Sequence, residues 1–325
     1  MSVPHFLRLS LILTISSFLV ACSGSHEPAG DTSETAPEMD SLVSAEWLSQ
    51  HLDDPDLVVL DCTVLVEQDA NGGFRTESGQ ASYEAGHIPT AGFADLMGEL
   101  SDRNSPIGFA VPTPEQFAAA MGALGVGDDT RVVLYDASGS AWAARVWWML
   151  RWIGFDQVAL LDGGLGAWTA AGQPLSTELP ARAARKLTPK VRPELIADRD
   201  EVFASIDDPG VTLIDTLPEA HYRGEMAMYH RPGHIKGATN VSMMSLMDED
   251  GRFRPSDELA ALFGDDQDTR AITYCGGGIA ASANAFVMTR LGFKDIAVYT
   301  ASLQEWAADP ANPMEVGPGA PESDK

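Results

Sequence analysis

One long pattern occurs twice in this chain, and that repeat limits the fold more than any single motif does. Ile153 to Trp168 aligns without gaps against Leu291 to Trp306. Upstream, Leu57-Val58-Val59-Leu60-Asp61 parallels Val211-Thr212-Leu213-Ile214-Asp215, and Gly86-His87-Ile88-Pro89 parallels Gly233-His234-Ile235-Lys236. Arg131 to Asp136 parallels Arg270 to Cys275. A period this long, far above solenoid periods, means two copies of one domain. The 325 residues suffice for about two domains, each burying its own core. Strand-like runs alternate with helical ones, which predicts α/β domains with mainly parallel sheets flanked by helices. The pattern predicts helices over residues 141–152, 194–206, 256–263 and 282–291, and strands over 211–214 and 296–299. Trp142, Trp147, Trp148 and Trp152 are expected in the core and at the domain interface.

The copies differ where the chemistry is expected. Cys275 lies between the apolar run Arg270-Ala271-Ile272-Thr273-Tyr274 and a helical segment, and Gly276, Gly277 and Gly278 follow it. Glycine reaches the positive-φ conformations that let backbone N–H groups ring an anion. Such amides, with a helix N-terminus, should hold Cys275 as thiolate. The first copy has Asp136 at that place, and a carboxylate cannot attack sulfur, so it should be catalytically dead. Cys62, after the first copy's strand, reads as a small buried hydrophobe. A cysteine-dependent phosphatase would need an Arg six residues after its Cys to grip phosphate, and Ala281 stands there. No Cys-x-x-Cys spacing suggests zinc.

Four segments in this order resemble the rhodanese family of sulfurtransferases. They are the strand ending in Asp215, the run Gly233-His234-Ile235-Lys236-Gly237-Ala238-Thr239-Asn240, the loop Cys275 to Ala280, and the closing segment from Leu291 to Trp306. The resemblance implies two tandem rhodanese-like domains, inactive first and active second, with Cys275 as nucleophile. It also implies a substrate loop of Gly276, Gly277, Gly278, Ile279 and Ala280. Asp215 and His234 would give structural support to that loop. His221 stands where related enzymes carry a substrate-binding Arg, so Arg223 is the first candidate for holding the anion and Arg231 the second. The implied reaction is double displacement: a small anionic donor gives sulfur to Cys275, and a thiophilic acceptor such as cyanide removes it. No metal or organic cofactor is needed. Mercaptopyruvate sulfurtransferases carry a loop Ser that works with a His and an Asp from the first domain. Here Gly277, Phe109 and Gly98 occupy those places, which favours thiosulfate or a similar sulfane-sulfur donor. The alternatives are 3-mercaptopyruvate as donor, or a non-catalytic sulfur-binding or redox-sensing lipoprotein, which measured turnover would separate from an enzyme.

Met1 to Ala21 carries a short apolar run near the terminus, as a secretory signal does. Leu19-Val20-Ala21-Cys22 resembles a bacterial lipobox, with Cys22 lipidated. The expected layout is a signal peptide over 1–21, a disordered tether over 22–41, an inactive domain over 42–178, a linker over 179–193, a catalytic domain over 194–312 and a disordered tail over 313–325. The linker's Arg182, Arg185, Lys186 and Lys190 read as a solvated connector. A net charge of −26 argues against nucleic acid as partner. The expected protein is a monomer in the cell envelope, anchored by lipid and facing the periplasm or outside. The outer membrane is favoured where there is one, because Ser23 follows Cys22 instead of an Asp retention signal.

Overall fold

The computed structural model describes residues 39–68, 74–137 and 139–317. Cys22, the signal segment and most of the expected tether lie outside the described residues. The first copy runs β1 (Leu42–Val43), α1 (Ala45–His51), β2 (Leu57–Asp61), β3 (Val64–Gln68), β4 (Phe74–Ser78), α2 (Gln80–Ala85), β5 (Gly92–Phe93), α3 (Pro114–Ala123), β6 (Arg131–Tyr135), α4 (Ala141–Trp152), β7 (Val158–Leu161) and α5 (Gly164–Ala170). The second runs β8 (Ile196–Ala197), α6 (Arg199–Ser205), β9 (Val211–Asp215), α7 (Glu219–Tyr222), β10 (His234–Ile235), β11 (Thr239–Asn240), α8 (Ser256–Phe263), β12 (Arg270–Tyr274), α9 (Ile279–Leu291), β13 (Ile296–Tyr299), α10 (Ser302–Trp306) and β14 (Met314–Glu315).

Each copy builds one five-stranded parallel sheet, ordered β1-β7-β6-β2-β5 in the first and β8-β13-β12-β9-β11 in the second. The orders are identical, and so is the central register. Leu57 pairs with Arg131 and Asp61 with Tyr135, as Val211 pairs with Arg270 and Asp215 with Tyr274. Helices cover both faces, which is why the central strands are near-continuous apolar runs; β2 is buried at every position. α4 and α9 pack against each other, with Trp147 edge-on to Phe286 at 4.9 Å. A single apolar cluster therefore runs from Leu60 and Val132 through Trp147 and Phe286 to Val298. This gives the tryptophans of α4 the interface role expected of them.

Four local expectations are corrected. The helix expected over 194–206 is not continuous: a 3-10 turn (Pro193–Leu195) leads into edge strand β8, and Asp198 then caps α6 by accepting the Glu201 N–H at 2.8 Å. α9 starts at Ile279 rather than 282, because Gly278 at φ +81° turns the chain directly into the helix. The linker is not simply solvated. Arg182 donates to the carbonyls of Leu57 at 2.8 Å and Thr90 at 3.0 Å, and Leu187 is buried. Residues 314–315, expected in a disordered tail, form β14, which pairs antiparallel with β10.

Candidate active site

Cys275 leaves the carboxyl end of the central strand β12, the edge of a parallel sheet where ligands gather. It is 3% exposed. Its own N–H donates to Ser302 Oγ at 3.1 Å, and that hydroxyl donates to the Tyr299 carbonyl at 2.6 Å. The N–H groups of Leu303 and Gln304 tie down the carbonyls of Cys275 and Gly276 at 3.1 and 3.0 Å. Gly278, left-handed, aims its N–H at Cys275 Sγ at 3.1 Å. No side chain caps α9, so its first-turn N–H groups, beginning with Ile279 and Ala280, are left for an anion beside the sulfur.

The first copy has the same cradle filled. α4 starts on Ser140 at φ +56°, whose own side chain makes no cap. Asp136 takes the N–H of Ser140 on Oδ1 and those of Trp142 and Ala143 on Oδ2, each at 3.0 Å. Gly278 and Ser140 are matching helix starts, so the Gly278 bond to sulfur corresponds to the Ser140 bond to carboxylate. The fold therefore builds an anion nest at this turn in both copies. The second copy puts a cysteine thiol in it.

Residues that the sequence reasoning missed form the walls. Arg145 crosses from α4, donating to the Phe109 carbonyl at 2.9 Å and towards the Gly278 carbonyl at 3.4 Å. Gln304 Oε1 accepts the Gly108 N–H at 2.8 Å, latching the first copy's loop over the catalytic one. The Tyr229 hydroxyl fills the space that a Cβ on Gly276 would need, and the Gln304 amide fills that of Gly277. Burial, with the charges of Cys275 and Asp215, pushes the Tyr229 hydroxyl well above its ordinary range, so it stays protonated. One signal was available: Arg145 is the lone charge in the apolar run from Ala141 to Leu150. Nothing local in the sequence marks Tyr229, Ser302 or Gln304, which act through contacts far along the chain.

The other sequence candidates fall in different places. Arg231 does not serve as a free anion ligand. Its guanidinium donates to the carbonyls of Trp306, Ala307, Asp309 and Asn312 at 2.7 to 3.1 Å, clamping the turn after α10. Arg223 pairs with Glu219 one helical turn back. His221, buried, meets the Met226 carbonyl through Nδ1 at 3.1 Å. Asp215 is fully buried; its Oδ1 accepts the Leu217 N–H at 2.8 Å and its Oδ2 has no hydrogen-bond partner among the described residues. Desolvation pushes its pKa up to about 7, against the bond from Leu217 and the nearby Tyr274 hydroxyl. His234 stacks on Tyr222 at 3.8 Å and meets the Tyr222 carbonyl through Nδ1, and burial lowers its pKa.

The first copy repeats this arrangement around Asp61, Tyr135, His87 and Tyr83. Tyr135 and Tyr274 accept the N–H of Ile88 and of Ile235 in the same way, at 3.2 and 3.0 Å. A device kept in the copy that has Asp136 in place of Cys275 is one that holds the fold. At Phe109 the backbone is left-handed, φ +58°, and the ring packs on Trp142. Beside Gly98 stands the Asp95 carboxylate, 2.6 Å from where a Cβ would be. Cys62 is fully buried, and desolvation with the charges of Asp61 and Asp136 pushes its thiol well up.

Residues 44–171 and 198–309 each match the Rhodanese-like domain. A Pseudomonas aeruginosa protein named a probable 3-mercaptopyruvate sulfurtransferase is 36% identical over 285 residues, 85% of this chain and 98% of its own. The thiosulfate sulfurtransferase of Rattus norvegicus is 32% identical over 281 residues, 82% of this chain and 91% of its own. Among solved structures, Escherichia coli SseA, described as a 3-mercaptopyruvate sulfotransferase, superposes with a TM-score of 0.72 at 31% identity, covering 81% of this chain and 99% of that one. Both copies are matched, and relatives of the same tandem build align along nearly their whole length. The chain belongs to the tandem rhodanese-domain sulfurtransferase family.

Proposed function

We propose that the protein moves sulfane sulfur from thiosulfate, or a donor like it, through a Cys275 persulfide to a thiophilic acceptor. The observation that carries this reading is the Gly278 N–H directed at Cys275 Sγ, at the mouth of an uncapped helix. The Cys275 thiolate attacks the outer sulfur of thiosulfate, the sulfur–sulfur bond breaks, and sulfite departs with the bonding pair. The outer sulfur of the persulfide is anionic and suits the N–H groups of Ile279 and Ala280. Cyanide or a small thiol attacks that sulfur and the Cys275 thiolate leaves. No proton transfer to the leaving group is required when it leaves as sulfite.

The choice of donor rests on Gly277. A loop Ser there would meet the Gln304 amide, which is already committed to Gly108 of the other copy. This chain thus has a carboxamide latch where a mercaptopyruvate enzyme would need a hydroxyl. The second reading, 3-mercaptopyruvate as donor, is favoured by the names of the Pseudomonas aeruginosa and Escherichia coli relatives. Steady-state transfer to cyanide from the two donors side by side decides between them. Thiosulfate should show the higher kcat/KM; a clear preference for mercaptopyruvate would overturn the donor assignment and leave Cys275 as carrier. Lipidation at Cys22 would put this chemistry outside the cytoplasm, where sulfur transfer competes with oxidation of the thiolate.

A further inference from the structure

Arg145 is the largest charged side chain buried in the protein, and its own domain does nothing to neutralise it. It is 1% exposed, on a helix otherwise made of Ala, Val, Trp, Met and Leu around it. Among the described residues no carboxylate forms an ion pair with it. Its Nε is buried without an acceptor, and its guanidinium carbon lies 5.1 Å from the centre of the Trp148 ring. An isolated ionised group costs a great deal to desolvate and persists only where an opposite charge faces it. Among the described residues, the negative charge that acts on it lies across the domain boundary, at Cys275. Burial pulls the guanidinium pKa down to about 10 while the negative charge of Cys275 pulls it back up, so Arg145 is still a cation at neutral pH.

We propose that Arg145, on the helix of the domain that lacks a nucleophile, is the counter-ion that keeps Cys275 and its persulfide anionic. The geometry offers a route for this. Arg145 Nη1 points at the Gly278 carbonyl, whose peptide carries the Ile279 N–H, the first of α9. Polarising that peptide strengthens the first N–H of α9, and the contact pins Gly278, whose own N–H meets Sγ. The second bond, to Phe109, fixes the guanidinium from its own side. The arrangement runs in one direction only. Counting back from the match of Ile153 with Leu291, the position of Arg145 is Ala283 in α9, so the second domain returns no such charge to Asp136. The dead copy thereby earns its retention as the source of the charge that makes the live one reactive. Arg145 is a positioning residue in this scheme, since it acts through the loop rather than on the donor.

The test is the rate of Cys275 alkylation by iodoacetamide between pH 5 and 9, read by peptide mass so that Cys62 is scored separately. Besides Arg145, the Tyr229 hydroxyl faces Cys275 and stays protonated over this range, while Asp215, which faces Tyr229, titrates within it at about 7 in parent and variants alike. Arg145→Met should lower the rate at pH 6 by roughly ten- to a hundred-fold and move the rise in rate to higher pH, and Arg145→Lys should recover most of it. A folded Arg145→Met protein whose profile superimposes on the parent overturns the proposal. Should that variant not fold, the parent decides: an alkylation rate at pH 6 no greater than that of free cysteine overturns it equally. The proposal rests on Cys275 being the sulfur carrier, but alkylation needs no donor. A lost donor assay with an intact profile would count against transfer, not against Arg145.

Discussion

Replacing Gly278 with Ala tests the amide cradle at its tightest point. Gly278 holds φ +81°, and a Cβ there would stand 2.8 Å from Arg145 Nη1, 2.9 Å from the Thr300 carbonyl oxygen and 3.0 Å from Thr300 Cα. Arg145 could give a little, but the Thr300 backbone cannot, so the loop must move. The left-handed conformation alone costs an L-residue about 1–2 kcal/mol. Losing a hydrogen bond to a charged sulfur costs about 1.5–3 kcal/mol more, and that second loss falls on the reaction. At ~1.4 kcal/mol per tenfold, kcat/KM should drop about ten- to a hundred-fold. Gly251→Ala is the control, because Gly251 has φ +74° with nothing within 4 Å of its would-be Cβ. It should lose about 1 kcal/mol of stability and no activity. The assay is sulfur transfer to cyanide alongside denaturant unfolding of both variants. Equal activity losses in the two, or Gly278→Ala activity within about twofold of the parent, would refute the cradle.

Two further outcomes follow from charge and from the N-terminus. Asp215 is protonated more readily folded, at about 7, than at its ordinary 3.8, so its stabilising proton is fully present below about pH 4 and lost as pH rises through 7. Asp215→Asn keeps the oxygen that accepts from Leu217 and removes that loss. Relative to the parent it should gain up to about 4 kcal/mol between pH 4 and 8, read from urea midpoints, and parallel pH curves would sink the idea. In fractionated cells the parent should follow the membranes, and Cys22→Ala should lack the lipidated form. Unprocessed parent protein in the cytosol would reject the anchor and leave the catalytic reading intact.

Much of the fold was legible because the repeat compared the chain with itself. Where two segments match without gaps, strand register follows, and Asp61–Tyr135 and Asp215–Tyr274 pair as the alignment implies. The break at 193–205 escaped notice because β8 is a two-residue edge strand whose formation depends on Val298 and Tyr299, a hundred residues on. In the site, Cys275 and its glycines were visible as local chemistry. The walls were not. Arg145, Gln304 and Tyr229 reach the loop from distant segments, the first two through contacts between the copies. Arg231 misled because its charge was visible in the sequence but not its partners: its donors are turned to four carbonyls in the structure.

The most direct measurement is the peptide mass of the protein after thiosulfate treatment. Cys275 lies in the nest, 3.1 Å from the Gly278 N–H, whereas Cys62 is sealed in the core with its thiol pushed up by burial and by the charges of Asp61 and Asp136. The Cys275 peptide should gain the mass of one sulfur atom and lose it again on adding cyanide, with the Cys62 peptide unchanged. Sulfur carried on Cys62, or turnover continuing with Cys275 never labelled, would contradict the account.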